Sequence, residues 1–292
     1  MECELQDADT KFNSAEARTV GLVVVGDEIL KGRTSDTNTG YAMAKFKESG
    51  LKVKRVAVVA DQEDDIVEEL RRQVSMCDVV VTSGGLGPTH DDVTLYAVAR
   101  ALGQAMTQNA QMMKLIRTQK AKRSPDPDAE ISLTPAEEKM ATLPLGSQLR
   151  TPPGRPGGWP VLQCGRVFIL PGVPEFFEEK LDTICASFLP SRGPTALRRI
   201  SLGLDELQIV DALNACVSEH TEVTFGSYPF HGEGEVRTVV TVEGDDDSAV
   251  TLASEDFVKR VEQLCESEEA AVLGVDTVSE LHTSRTWRTP HI

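Results

Sequence analysis

The 292-residue chain carries 46 acidic against 30 basic side chains, a formal net charge of −16, and is 40% hydrophobic. That supplies apolar mass for one large domain plus a smaller one, and it argues against a nucleic-acid partner, which needs a basic footprint to neutralise phosphates. No stretch reaches the roughly 18 to 20 apolar residues of a membrane-spanning helix, the N-terminus resembles neither a secretory leader nor a transit peptide, and the six cysteines lack zinc spacing. The expectation is a cytoplasmic protein with reduced thiols and no membrane partner.

Residues 1–18 read as a flexible N-terminus. Thr19 to Val25 is a continuous apolar run, as in strands buried on both faces. The loop Gly26-Asp27-Glu28-Ile29-Leu30-Lys31-Gly32 follows, then a predicted helix from about Asp36 to Ser49, capped by Gly50. A second strand (Leu51 to Ala60) precedes a helix (Glu63 to Ser75) with Ile66, Val67, Leu70 and Val74 on one face. A third strand, Asp78 to Thr82, runs into Ser83-Gly84-Gly85-Leu86-Gly87-Pro88-Thr89-His90-Asp91-Asp92, with a helix predicted from near Asp91 through Leu102. Thr107 to Lys122 reads as a further helix broken at Arg123 to Asp128, and Thr134-Pro135-Ala136-Glu137-Glu138 as a helix start. Pro152 to Gly158 reads as a loop, Arg166 to Leu170 as a core strand, and Pro171-Gly172-Val173-Pro174-Glu175 as the entry to a helix ending near Leu189.

Strand and helix alternating over short connections predict an α/β domain over 19–192, its sheet mainly parallel and flanked by helices. From Thr195 the order changes to a strand (Leu197 to Leu204), a helix (Asp205 to Ser218), two strands (Glu222 to Ser227 and Glu235 to Val242) and a helix (Ala249 to Cys265). This predicts a small trailing α+β domain over 193–275, with 276–292 as a loose tail.

Glycines 84, 85 and 87 let the backbone approach an anion closely, with successive N–H groups turned toward it. In parallel α/β sheets ligands sit outside the carboxyl ends of strands. Residues 26–28, 83–92 and 171–175 are therefore predicted to converge at one edge. Asp27, Glu28, Asp91, Asp92 and Glu175 would repel one another there unless a cation or proton compensates, which makes them candidate ligands for a divalent metal. Asp91, Asp92, Asp27 and Lys31 are the candidate catalytic residues, Lys31 as a point charge on a phosphate. Candidate substrate-binding residues are Ser83, Gly84, Gly85, Gly87, Thr89, Asn38, Gly172 and Tyr228, the last as a stacking ring. Structural alternatives stay open: acids at strand ends form turns, Asp91 or Asp92 can cap the next helix and Asn38 its own, Lys31 and His90 can face solvent, and Tyr228 can pack at a domain junction. No nucleophile elbow, Walker lysine motif or His-Glu-x-x-His occurs, which argues against covalent serine hydrolysis and P-loop phosphoryl transfer.

Val25 to Gly32, Asp36-Thr37-Asn38, Ser83 to Thr94, Leu170 to Glu175 and Gly226-Ser227-Tyr228-Pro229 together resemble the molybdopterin-binding (MoCF/MogA-like) domain family, in its CinA-like branch, over about residues 19 to 270. Thr89-His90-Asp91-Asp92-Val93-Thr94 and the Gly-Ser-Tyr-Pro turn look most similar to the N-terminal domain of eukaryotic FAD synthases. The resemblance implies the molybdopterin-binding fold, a homo-oligomer, and a small-molecule nucleotide as partner. It also implies hydrolysis of a dinucleotide pyrophosphate, FAD to FMN and AMP or ADP-ribose to its monophosphates, dependent on a divalent metal (Mg, Mn or Co) with K+ as an accessory ion. The FAD-synthesising domain does not follow in this sequence, so synthesis is not expected of it. Two other readings remain: a molybdopterin-binding, adenylating enzyme of molybdenum cofactor biosynthesis, and a non-catalytic nucleotide-binding regulatory module.

Overall fold

Strand β1 (Thr19–Val25) sends Val20, Leu22 and Val24 into one core cluster and Val23 and Val25 into another, so both of its faces are apolar. The computed structural model describes residues 16–123, 131–152, 159–189, 193, 195–230, 234–264 and 271–277. The N-terminal segment to residue 15, the break at 124–128, the loop at 153–158, Cys3, Cys265 and the tail from 278 lie outside the described residues.

After β1 come α1 (Asp27–Leu30), α2 (Thr37–Glu48), β2 (Lys52–Val59), α3 (Glu63–Met76), β3 (Val79–Ser83), α4 (Thr94–Ala101), β4 (Met106–Gln108), α5 (Ala110–Arg123), α6 (Pro135–Met140), β5 (Thr142–Pro144), β6 (Gln148–Arg150), β7 (Val161–Cys164), β8 (Val167–Leu170) and α7 (Pro174–Ser187). The main sheet has the order β2-β1-β3-β8-β7-β6, parallel from β2 to β8 and antiparallel at β7 and β6. Like β1, the strands β3 and β8 divide their side chains. Val79, Val81, Phe168 and Leu170 meet Phe46 of α2 and Phe177, Leu181 and Ile184 of α7. Val80, Val167 and Ile169 meet Ile66 and Leu70 of α3, Val98 of α4 and Ile116 of α5.

Besides the short strands β4 to β7, which were not expected, three elements up to α7 differ from the sequence reading. The loop after β1 contains one helical turn, α1. The helix expected from Thr107 starts at Ala110, because residues 106–108 pair with 142–144 as a two-stranded ribbon and Asn109 accepts the Met112 N–H at 3.0 Å. The helix expected from near Asp91 starts at Thr94 with Val93 as its N-cap, for a reason found in the site below.

The chain divides into two compact units, Met1–Gly193 and Pro194–Ile292. The second contains β9 (Ala196–Leu202), α8 (Glu206–Glu219), β10 (Thr224–Pro229), β11 (Thr238–Gly244), α9 (Asp247–Leu264) and β12 (Val272–Thr277). Its antiparallel sheet runs β10-β11-β9-β12 over a core of Ile200, Leu202, Ile209, Val240, Val242 and Phe257. The edge strand β12 was not expected from sequence; six residues with a single isolated apolar alternation carry little signal. Cys77, Cys164, Cys185 and Cys216 are buried, and no helix among the described residues is long and apolar enough to cross a membrane.

Helix α6 is short, and its N-terminal end is fixed by polar contacts. Thr134 and Glu137 form a reciprocal capping box, and Lys120 of α5 reaches Glu137 Oε2 at 2.8 Å. The Lys120 ammonium and the Thr134 N–H hold the Glu137 carboxyl down at about 2. A folded value below the free value of 4.5 means that this anchoring is complete above pH 4.5 and lost as pH falls toward 2. Glu137→Gln is therefore expected to lower the urea midpoint at about pH 6, with the gap to wild type closing at about pH 2.5.

Candidate functional site

Four parallel strands lie side by side, so the carboxyl ends of β2, β1, β3 and β8 form one edge of the sheet. The Gly26 N–H donates to Val59 O at 3.2 Å and the Gly84 N–H to Leu170 O at 3.1 Å, tying neighbouring ends together. Gly84 has φ +104°, and a Cβ built on it would stand 2.2 Å from the carbonyl oxygen of Val25. A Cβ on Gly172 would in turn lie 3.2 Å from Gly84 Cα. The backbone of Val25, Gly84 and Gly172 thus meets only because no side chain intervenes. Asn38, buried at the start of α2, donates from Nδ2 to Ser83 Oγ and to Gly172 O, both at 2.9 Å. It does not cap its helix; Asp36 does, accepting the Thr39 N–H at 2.9 Å. Asn38 Oδ1 is buried and has no hydrogen-bond partner among the described residues.

The glycine loop is arranged differently from expectation in one respect. Gly84 cannot donate to an anion, because Leu170 O takes its N–H. Among the described residues no internal acceptor takes the N–H groups of Gly85, Leu86 and Gly87, which shifts the available donors one residue onward. Thr94 closes the loop: its hydroxyl donates to Gly84 O at 2.9 Å and its N–H to Gly85 O at 3.2 Å. Asp92 turns back over Gly87, whose Cβ would stand 2.5 Å from its Oδ2, and accepts the N–H and hydroxyl of Thr89 at 2.8 and 2.5 Å. With Asp92 so engaged, neither acid caps α4, which is why that helix begins later than its sequence suggests.

Asp91 faces elsewhere. Together with Asp27, Glu28, Lys31, Arg33, Asp61, Gln62 and His90 it lines a cleft of about 410 Å³. Lys31 pairs with Asp27 and holds that carboxyl below its ordinary value. Asp61 accepts the Asp27 N–H at 2.8 Å, and its burial, with the carboxylates of Glu28, Asp27 and Asp91 nearby, pushes it above the ordinary value. Asp91 is held below its ordinary value by polar groups of its own turn, first the nearby Thr89 hydroxyl, whose proton Asp92 engages, and then its own backbone N–H. Sequence reasoning missed Asp61 and Arg33. Asp61 had a usable signal, since β2 is also a parallel strand and its carboxyl end must reach the same edge.

Not every candidate joins the cleft. Asp92 is turned into its own loop. Glu175 is exposed in the first turn of α7 and is not among the residues lining the cleft. Tyr228 belongs to β10 in the second unit, where its ring folds over Gly226, whose Cβ would stand 3.0 Å from the tyrosine hydroxyl. Among the described residues no three His, Cys, Asp or Glu side chains form a ready-made metal cage. The cleft's possible ligands are the carboxylates of Asp27, Glu28, Asp61 and Asp91, with the Gln62 amide oxygen and His90, beside the cations Lys31 and Arg33. Such a set fits a cation like magnesium, which takes one or two carboxylates and completes its shell with water and substrate phosphate.

A family model described as the probable molybdopterin binding domain, MoCF_biosynth, matches residues 21–191. The chain belongs to that family. Residues 194–269 match a second model, the FAD synthase middle domain. A probable FAD synthase of Caenorhabditis briggsae is 31% identical over 251 residues, covering 81% of this chain and 48% of that protein. A CinA-like protein of Myxococcus xanthus is 32% identical over 245 residues, covering 80% of this chain and 57% of the relative. The chain thus spans about half the length of these two relatives. The crystal structure of the protein CinA, of unknown function, from Thermoplasma acidophilum superposes with a TM-score of 0.50 at 34% identity, over 57% of this chain and 96% of that one.

The edge is expected to fail when its central glycine gains a side chain. Gly84→Ala meets both an unfavourable φ and the Val25 carbonyl, and should destabilise the first unit by about 2 kcal/mol or more, read as a lowered melting temperature. Gly103→Ala, also at positive φ but with nothing within 4 Å of a built Cβ, should cost less.

Proposed function

We propose that the first unit hydrolyses the P–O–P bond of a dinucleotide pyrophosphate, with FAD or ADP-ribose as substrate. The observation that carries this reading is the pairing, at one sheet edge, of the N–H donors of Gly85 to Gly87 with a cleft holding Asp27, Glu28, Asp61 and Asp91 beside Lys31 and Arg33. A pyrophosphate diester presents two adjacent phosphates: the loop N–H groups suit one and the charged cleft the other. The relatives named as probable FAD synthases, together with the middle-domain match, favour a flavin dinucleotide.

In the reaction, water adds to one phosphorus while the bridging oxygen leaves with the other phosphate; FAD gives FMN and AMP. The loop N–H groups of Gly85 to Gly87 orient one phosphate, and Lys31 and Arg33 offset charge gathering on the other. Asp61 fixes the backbone of Asp27, and Asp27, Glu28 and Asp91 would hold a divalent cation. When bound, such a cation supplies Lewis-acid polarisation of a phosphoryl oxygen. The family description favours a second substrate class, a molybdopterin, that the same edge would hold by its phosphate.

The purified chain with Mg²⁺, Mn²⁺ or Co²⁺ is expected to release AMP from FAD or ADP-ribose, and Asp91→Asn and Asp61→Asn each to slow release by about 100-fold. Folded protein that releases no AMP under any of these ions, while a pterin phosphate raises its melting temperature, would replace this reading with the pterin one.

A further inference from the structure

We infer that Lys139 of α6 is a positioning residue that clamps the Pro88–Asp92 segment and so fixes Asp91 at the cleft. Its ammonium donates to the carbonyl oxygen of Thr89, 50 residues away in the chain. That carbonyl also accepts the Asp92 N–H at 3.3 Å, and the N–H and hydroxyl of Thr89 are both taken by the Asp92 carboxylate. Thr89 is therefore the knot of the loop, and Lys139 ties the knot to another element. Among the described residues, hydrogen bonds reaching residues 88–92 from outside the segment come from Lys139 alone.

The loop needs such a tie. The His90 side chain is 97% exposed and that of Asp91 57% exposed, so packing does little to hold them. The other end of the tie is firm. Helix α6 is held by its capping box and by Lys120, which bonds both Glu137 and Ser132 O, the latter at 3.0 Å. Past its C-terminal end Ala141 and Leu143 are buried, and Asn109 donates to Ala141 O at 2.8 Å. A cation reaching from a fixed helix to a carbonyl in an exposed loop is a charge-assisted bond, stronger than a neutral one. The chain from Lys120 through Glu137 and α6 to Lys139 thus carries the rigidity of the α5 layer to the residue pair beside the cleft.

The part of this inference that concerns turnover rests on the pyrophosphatase reading; the tether itself does not. Hydrogen exchange at the amides of residues 89–92 is to be compared in wild type, Lys139→Met, Lys139→Gln and Lys139→Arg, with turnover of FAD measured in parallel. Loss of the charged donor should speed exchange by about tenfold or more in the Met and Gln variants, the scale of one hydrogen bond to a charged group, while Arg restores protection. In an active enzyme kcat should fall by a similar factor with KM little changed, and Arg should recover it. Unchanged exchange in whichever of the Met and Gln variants folds overturns the clamp, and faster exchange with unchanged kcat in an active enzyme overturns the positioning role. Faster exchange in a protein whose wild type hydrolyses nothing supports the clamp and sinks only the pyrophosphatase reading.

Discussion

The site depends on one close approach: the backbone at Gly84 lies against the Val25 carbonyl on one side and Gly172 on the other, with its own N–H bonded to Leu170 O. No residue with a Cβ fits between them. The approach holds its dimensions because the strands that deliver it are immobilised by packing on both faces, where Phe46, Phe168 and Phe177 fill one layer and Ile66 and Leu70 the other. The loops therefore start from a rigid edge and need little of their own structure to place N–H groups and carboxylates close together.

Charge at that edge works against stability. Asp27, Glu28, Asp61 and Asp91 line one cleft in a chain already carrying a net charge of −16, and the proton affinity of Asp61 is raised first by its burial and then by the carboxylates of Glu28, Asp27 and Asp91. Partial relief comes from within, through the Lys31 pair on Asp27 and the hydrogen bonds that hold Asp61 and Asp91. Under the proposed function, a cation bound with the substrate would relieve the charge that these contacts leave uncompensated. At the same edge, Asn38 Oδ1 is buried and has no hydrogen-bond partner among the described residues.

The second unit contrasts with this in its electrostatics. There the half-buried charges are paired: Asp256 accepts from Arg260 within α9 and from His220 just past the end of α8, each at 3.0 Å, and Arg260 also donates to Glu219 of α8 at 2.6 Å, so that the two helices are joined. With its own apolar core and its own family match, it is a separately organised module that follows the one bearing the cleft.

The sequence by itself determined whatever is recorded in short-range pattern. Buried strands β1 and β3 are legible because burial on both faces demands unbroken apolar runs, and the start of α6 because Thr134, Pro135 and Glu137 cap it through contacts three residues apart. The convergence of three strand ends followed from parallel order alone. The three-residue strands β4 to β6 were not legible, since 106–108 has no strand character until 142–144 pairs with it. Nor was the division of labour between Asp91 and Asp92. These neighbours are chemically identical, and only the turn around Thr89, made possible by the bare Cα of Gly87, sends one into the loop and leaves the other at the cleft. Asp61 and Lys139 joined the site across 34 and 50 residues of chain. Local spacing encodes elements because their bonds are local; the membership of a site is decided by contacts between distant segments, and these exist only once the sheet has brought the segments to one edge.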